Sequence, residues 1–233
     1  QMVYLYFTEP RFDETSFQSY MTRMSGMLEN KATSPESAFQ DTISVVMADY
    51  HERARPMTKE LLQEADFNRI KEIAKERFKN ASDFKFFFVG NIDKEEFKPL
   101  VEKYIGGIPY LSEKEHWKDL NIEEPEGVVE KTVKKGQEQK SLQYIVFHGD
   151  FDYKTENRLV LDAVERILST RLLEVIREDK SSVYSIRANA SSSKYPDPEY
   201  SVSIYYGTDP AKVEELQKAV FDEIKDFANN GPS

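Results

Sequence analysis

The three histidines are the first residues whose chemistry can be judged by spacing. His51-Glu52-Arg53-Ala54-Arg55 comes within one residue of H-E-x-x-H, the helical pattern that sets two imidazoles on one zinc ion. Arg55 stands where the second histidine belongs, and its cation would repel the metal. His116 lies beside Trp117, and His148 precedes Gly149-Asp150; neither has a partner at ligand spacing. All three read as solvated or hydrogen-bonded side chains. Neither a dinucleotide-binding nor a P-loop glycine pattern can be written in the chain, and no serine sits in G-x-S-x-G. With 42 acidic residues, neighbouring carboxylates carry no information about acid/base work. A complete catalytic site is absent from the sequence.

The segment that stands out is Ile176-Arg177-Glu178-Asp179-Lys180-Ser181-Ser182-Val183-Tyr184-Ser185. It leaves an apolar helical pattern, crosses a short polar loop and enters a strand pattern whose tyrosine lies seven residues after the arginine. Each residue also has a plain structural explanation. A cation in the last turn of a helix complements the C-terminal dipole, and Tyr184 alternates with Ile186, Ala188 and Ala190 along one strand face.

The elements that must position these residues follow from periodicity. Phe12, Phe17, Tyr20, Met24 and Leu28 predict a helix starting at Asp13, and a second runs from Pro35 to about Tyr50. Leu62, Ala65, Ile70, Ile73, Ala74 and Phe78 predict one helix from Lys59 to Lys79. Phe84 to Val89, an uninterrupted apolar and aromatic run apart from Lys85, reads as a strand buried on both faces. Asp93 and Glu96 can form a capping box for a helix that Pro99 interrupts early. Residues 111–127 read as a linker. Val129 to Val133 and Leu142 to His148 then alternate across Gly136 like a hairpin or strand pair, a long helix covers about Thr155 to Arg177, two strands cover Val183–Ala190 and Tyr200–Tyr206, and a last helix follows Pro210. Strands with covering helices make this an α+β chain, a sandwich of antiparallel-rich sheet and helices.

Composition bounds the function. In 233 residues, 32 basic against 42 acidic side chains give a net charge of -10, which lacks the electrostatic footprint of a nucleic-acid binder. No stretch is apolar enough to span a membrane. The absence of cysteine removes disulfides, thiolate zinc sites and cysteine nucleophiles without choosing a compartment. The apolar run from Met2 to Phe7 and the tail Asn229-Asn230-Gly231-Pro232-Ser233 read as interrupted elements, so the chain is expected to be a piece of a longer polypeptide.

The phrase L-x-x-x-I-R-x-x-x-x-x-x-Y-S, written by Leu172 to Ser185, resembles the helix-loop-strand signature of the pitrilysin family, the insulinase-like zinc metallopeptidases or inverzincins. Tyr4 to Asp13 is similar to a helix end and loop in their non-catalytic half, and Phe88-Val89-Gly90-Asn91-Ile92-Asp93 to a strand and turn that close one of their domains. The phrases occur in the family's order over nearly the whole chain.

The resemblance implies repeated α/β domains arranged as two halves that close over a peptide, with zinc on an H-x-x-E-H helix of the first domain. This sequence has no such motif, so the resemblance implies a non-catalytic fragment of the C-terminal half that binds no zinc itself. Residues 1–112 would be the end of a third domain, 113–127 a linker and 128–233 the first portion of a fourth. Arg177 and Tyr184 match the arginine and tyrosine that the second half lends to the active site: Tyr184 as a transition-state donor, Arg177 as a substrate-binding residue. The implied partners are the N-terminal catalytic half of the same polypeptide and a peptide substrate. The compartment stays open, with a periplasm or cell envelope favoured over the cytoplasm. The alternative is an inactive pitrilysin-like scaffold or peptide-binding subunit that partners a separate catalytic chain.

Overall fold

The computed structural model describes residues 1–112, 115–178 and 183–232, and the backbone alone at 176–178 and 183–185. The chain forms two compact units, Gln1–Lys135 and Gly136–Ser233. The division falls past Val128, where the sequence reading begins its second half.

The first unit is helical: α1 (Met2–Thr8), α2 (Glu14–Thr33), α3 (Pro35–Val46), α4 (Lys59–Gln63), α5 (Phe67–Phe78) and α6 (Lys94–Tyr104). Side-chain caps explain most of the starts. Asp13 accepts from the Ser16 backbone N–H at 2.8 Å ahead of α2, and Ser34 accepts from Ser37 at 3.1 Å with Pro35 as the first residue of α3. Where one helix was expected from Lys59 to Lys79, there are two. Asp66 accepts from the Arg69 N–H at 2.8 Å and caps a fresh helix, so the chain stops after α4 and restarts. Asp93 accepts from the backbone N–H groups of Glu95 and Glu96 to start α6, and Pro99 does not interrupt that helix. Proline removes one ladder hydrogen bond, and the helix closes normally where Val101 accepts from Ile105 and Gly106.

The Phe84–Val89 run has no regular secondary structure and pairs with no strand among the described residues, contrary to its reading as a strand buried on both faces. A strand needs a neighbour to satisfy its backbone, and the described residues of this unit supply none. Phe84 and Phe86 join Phe7 and Phe78 in an aromatic cluster with centroid separations of 4.8–5.8 Å about Phe7, and Phe88 packs on Phe97. The alternate positions face outward, with Phe87 83% and Val89 99% exposed.

The second unit is built on β1 (Ser141–Asp150), α7 (Thr155–Glu178), β2 (Val183–Ser193), β3 (Glu199–Thr208) and α8 (Val213–Asn230). The sheet is antiparallel with order β1-β3-β2. The expected hairpin or strand pair of Val129–Val133 with Leu142–His148 does not form, since 129–133 is not a strand. β1 gives all ten of its residues to β3, from Ser141 opposite Thr208 to Asp150 opposite Glu199. One face of the sheet carries Ile186, Ala188, Val202, Ile204 and Tyr206 against Leu168 and Leu172 of α7 and Leu216 and Val220 of α8, and this is the core. The fold is α+β, an antiparallel sheet covered by helices, as the sequence implies. No helix among the described residues is long and apolar enough to cross a membrane.

Candidate functional site

Arg177 lies in the last turn of α7, and Tyr184 is the second residue of β2, so the described backbone is helix up to Glu178 and strand from Val183. Their side chains, and the intervening residues 179–182, lie outside the described residues. The β2–β3 register shifts between Val183 and Ile186, which puts an irregularity at Tyr184-Ser185.

What surrounds that segment fixes where its two ends emerge. Apolar packing of Leu168 and Leu172 seats α7 on the sheet. Two polar ties fix α7 to the outer edge of β2: the Ser169 hydroxyl donates to the Ala188 carbonyl at 3.1 Å, and the Ala190 N–H donates to the Glu165 carboxylate at 3.1 Å. Both satisfy groups an edge strand would otherwise leave bare. Further along α7, Arg171 donates through Nε to Glu223 and through one terminal nitrogen to Asp226, both on α8. Its other terminal nitrogen donates to the Gly231 carbonyl at 2.9 Å, and the guanidinium sits 5.6 Å from the centre of the Phe227 ring. Glu223 first, then Asp226, push the Arg171 guanidinium further up; Asn230 and then Arg171 hold the Asp226 carboxyl below its ordinary value.

On β3, Tyr206 pairs with Ile186 of β2 and Gln143 of β1, two residues along β2 from Tyr184. It is fully buried in the apolar core, and burial pushes its phenol up to about 12. Among the described residues neither its hydroxyl nor that of Thr208, also buried, finds a hydrogen-bond partner. Sequence reasoning singled out none of Arg171, Tyr206 and Thr208. An arginine next to Leu172 in an apolar helix, with two acidic residues three apart in the last helix, is the signal that could have found the first.

The histidines do not converge. His51 caps a 3-10 turn at Glu52–Ala54, its Nδ1 accepting from the Arg53 N–H at 3.1 Å; His116 is exposed; His148 lies on β1 opposite Ser201. Among the described residues no group of three His, Cys, Asp or Glu side chains is placed to hold a metal ion. A shallow hollow at the start of α2 involves Asp13, but the Ser16 N–H and then Arg11 occupy that carboxylate and lower its pKa. It is a helix cap.

A family model described as the peptidase M16 inactive domain matches residues 65–233. The probable zinc protease PqqL of Haemophilus influenzae is 24% identical over 167 residues, which cover 71% of this chain and 18% of that protein. Among solved structures, the periplasmic protease PqqL from Escherichia coli matches with a TM-score of 0.79 at 18% identity, over 91% of this chain and 23% of that one. The ferredoxin protease FusC in complex with Arabidopsis ferredoxin matches with a TM-score of 0.74 at 12% identity, over 92% and 23%. The chain therefore spans less than a quarter of the length of each of these relatives. At these identities the solved structures establish the fold, and the family model establishes membership. The chain belongs to the peptidase M16 family, the pitrilysin family, and residues 65–233 carry its inactive domain.

Proposed function

We propose that this chain is the non-catalytic, substrate-enclosing part of a zinc-dependent endopeptidase, in which Arg177 and Tyr184 assist the zinc site of the other half. The observation that carries it is the match of residues 65–233 to the M16 inactive domain, inside which the arginine and tyrosine stand at the facing ends of α7 and β2. Zinc in this reading is held by the N-terminal catalytic half of the same polypeptide.

Cleavage of a peptide bond builds negative charge on the carbonyl oxygen. A donor aimed at that oxygen stabilises the transition state more than the bound substrate. The Tyr184 hydroxyl is the donor in this reading. The Arg177 guanidinium, a fork of N–H groups, holds a neighbouring substrate carbonyl by charge-assisted hydrogen bonds. The substrate is a polypeptide, as the protease names of the relatives support, and the compartment is the periplasm, which the E. coli relative supports. Residues 1–112 complete a third domain, 113–127 link, and 128–233 begin a fourth. The unpaired, outward-facing Phe87 and Val89 support this division, because a second layer belongs over them.

The test is Tyr184→Phe in the full-length polypeptide. Loss of the donor lowers kcat by about 10²-fold with native zinc content. Unchanged peptide turnover would remove the role.

A further inference from the structure

The side-chain cluster that the proposed function leaves unused is the one around Arg171. Its side chain is 14% exposed, and all three guanidinium nitrogens are engaged: Nε with Glu223, one terminal nitrogen with Asp226 and the other with the Gly231 carbonyl at 2.9 Å. The Phe227 ring lies against it at 5.6 Å. One α7 side chain thereby grips the last two turns of α8 and the glycine that ends it. Among the described residues of α7, it is the last to make a side-chain hydrogen bond to another element. Arg177 follows six residues on, about 9 Å farther along the axis at 1.5 Å per residue.

We infer that Arg171 is a positioning residue for peptide cleavage: by locking α7 onto α8 it fixes where the last turn of α7 presents Arg177. The inference rests on the proposed function. The single hydrogen bonds that tie Glu165 and Ser169 to β2 hold α7 upstream of Arg171. Beyond them a helix seated by apolar contact can slide and rotate by fractions of an ångström, since dispersion and hydrophobic burial have little directional preference. A planar fork with three directed hydrogen bonds removes that freedom. Misplacing a substrate-holding group by about 1 Å costs up to roughly 10²-fold in rate, so a clamp one and a half turns away matters to turnover.

The test compares peptide hydrolysis by the full-length, zinc-loaded polypeptide carrying Arg171→Ala, Arg177→Ala and both substitutions, with Asp226→Asn and Glu223→Gln as variants that keep the packing volume. Arg171→Ala is expected to lower kcat about tenfold, and to add less than about twofold when Arg177 is already alanine, because the two act through one group. Asp226→Asn and Glu223→Gln are expected to give smaller losses that likewise vanish in the Arg177→Ala background. Arg171→Lys keeps one ion pair and restores part of the rate. Equal losses in both backgrounds, or full turnover by Arg171→Ala, would overturn the inference and leave the proposed function standing. Full turnover by Arg177→Ala itself would instead take down the reading on which the inference rests. Should Arg171→Ala not fold, the two acidic-residue variants decide the same question.

Discussion

The two units bury their apolar side chains to different degrees, although both are made of amphipathic helices. In Gly136–Ser233, Leu172, Ile204, Tyr206, Leu216 and Val220 are almost wholly removed from water between a sheet and two helices. In Gln1–Lys135 the buried apolar residues among those described are Leu28, Leu62 and Ile108, and an aromatic cluster around Phe7 stands in for a core. The sequence of the first unit is no less apolar where it matters, since Phe84 to Val89 offers four large side chains in six residues. The difference lies in the number of layers. A helix or an extended segment has two sides, and the stable solution puts a second layer on the apolar one. The second unit has its sheet; the first has the segment that could join one and no strand beside it among the described residues.

The largest effect expected from this contrast is at Leu172. Replacing it by alanine leaves a cavity between α7 and the sheet and costs about 3 kcal/mol. Hydrogen exchange resolved along the chain should show faster exchange in β1, β2, β3, α7 and α8 and no change in α1 to α6. Equal loss of protection in both units would show them to unfold as one and would break the comparison.

Tyr206 gives the next largest effect and carries a sign. The unfolded chain releases the phenolic proton near 10.0, the folded chain near about 12 because burial disfavours the phenolate. The stability that the neutral phenol contributes is therefore fully present below pH 10 and is lost as pH rises through 12, on the order of 2–3 kcal/mol. Denaturation midpoints across that window measure it. Tyr206→Phe should abolish this part of the alkaline loss and leave the neutral-pH midpoint equal or higher, because the buried hydroxyl it removes has no partner among the described residues. A lower midpoint at neutral pH would mean that the hydroxyl is satisfied after all.

Much of the second unit is legible in the sequence because its signals are redundant. β3 alternates from Val202 to Tyr206, α7 sets Leu161, Leu168 and Leu172 on one face, and Asp209 and Pro210 mark the start of what becomes a 3-10 turn ahead of α8. Where the reading fails, a signal needed a partner that local pattern cannot see. Phe84–Val89 and Val129–Val133 both read as strands, but backbone ladders form between segments, and neither segment has a neighbour among the described residues. The break at Asp66 was missed for a different reason. The apolar stripe continues across it, and only the competition between an aspartate cap and the helix ladder ends α4. For the functional segment, Arg177 and Tyr184 are visible as a phrase, while the clamp at Arg171 joins residues 52 and 55 apart in sequence and has no local pattern.

Asn80 sharpens the comparison from the side of the first unit. It is 4% exposed and holds the turn after α5 against residues 109–111: its carbonyl oxygen accepts from the Leu111 N–H at 2.7 Å and from Ser82, and its amide donates to Asp83 at 2.8 Å. Ala81 adds a backbone bond to Pro109 at 3.0 Å. Asn80→Ala leaves the Leu111 N–H without this acceptor and costs about 2 kcal/mol, with faster exchange confined to the first unit. A unit with a small apolar core depends on such a knot more than one with a full core does. An effect below about 0.5 kcal/mol, the scale of an ordinary surface substitution, would contradict that view.

The smallest expected effect in this chain is the most informative about whether a second layer covers Phe87 in the full-length polypeptide. Phe87 is 83% exposed, so Phe87→Asp should change the denaturation midpoint of the 233-residue chain by less than about 0.5 kcal/mol equivalent. In the full-length polypeptide the same substitution should cost at least about 2 kcal/mol, because an aspartate would then be buried against a neighbouring strand. Phe84→Asp, on the side that already packs on Phe7 at 4.8 Å, should be damaging in both contexts and serves as the control. If Phe87→Asp is equally silent in the full-length polypeptide, the outward face of the segment is a true surface. The two units would then differ in architecture itself, and residues 1–112 would not be the end of a sheet-containing domain.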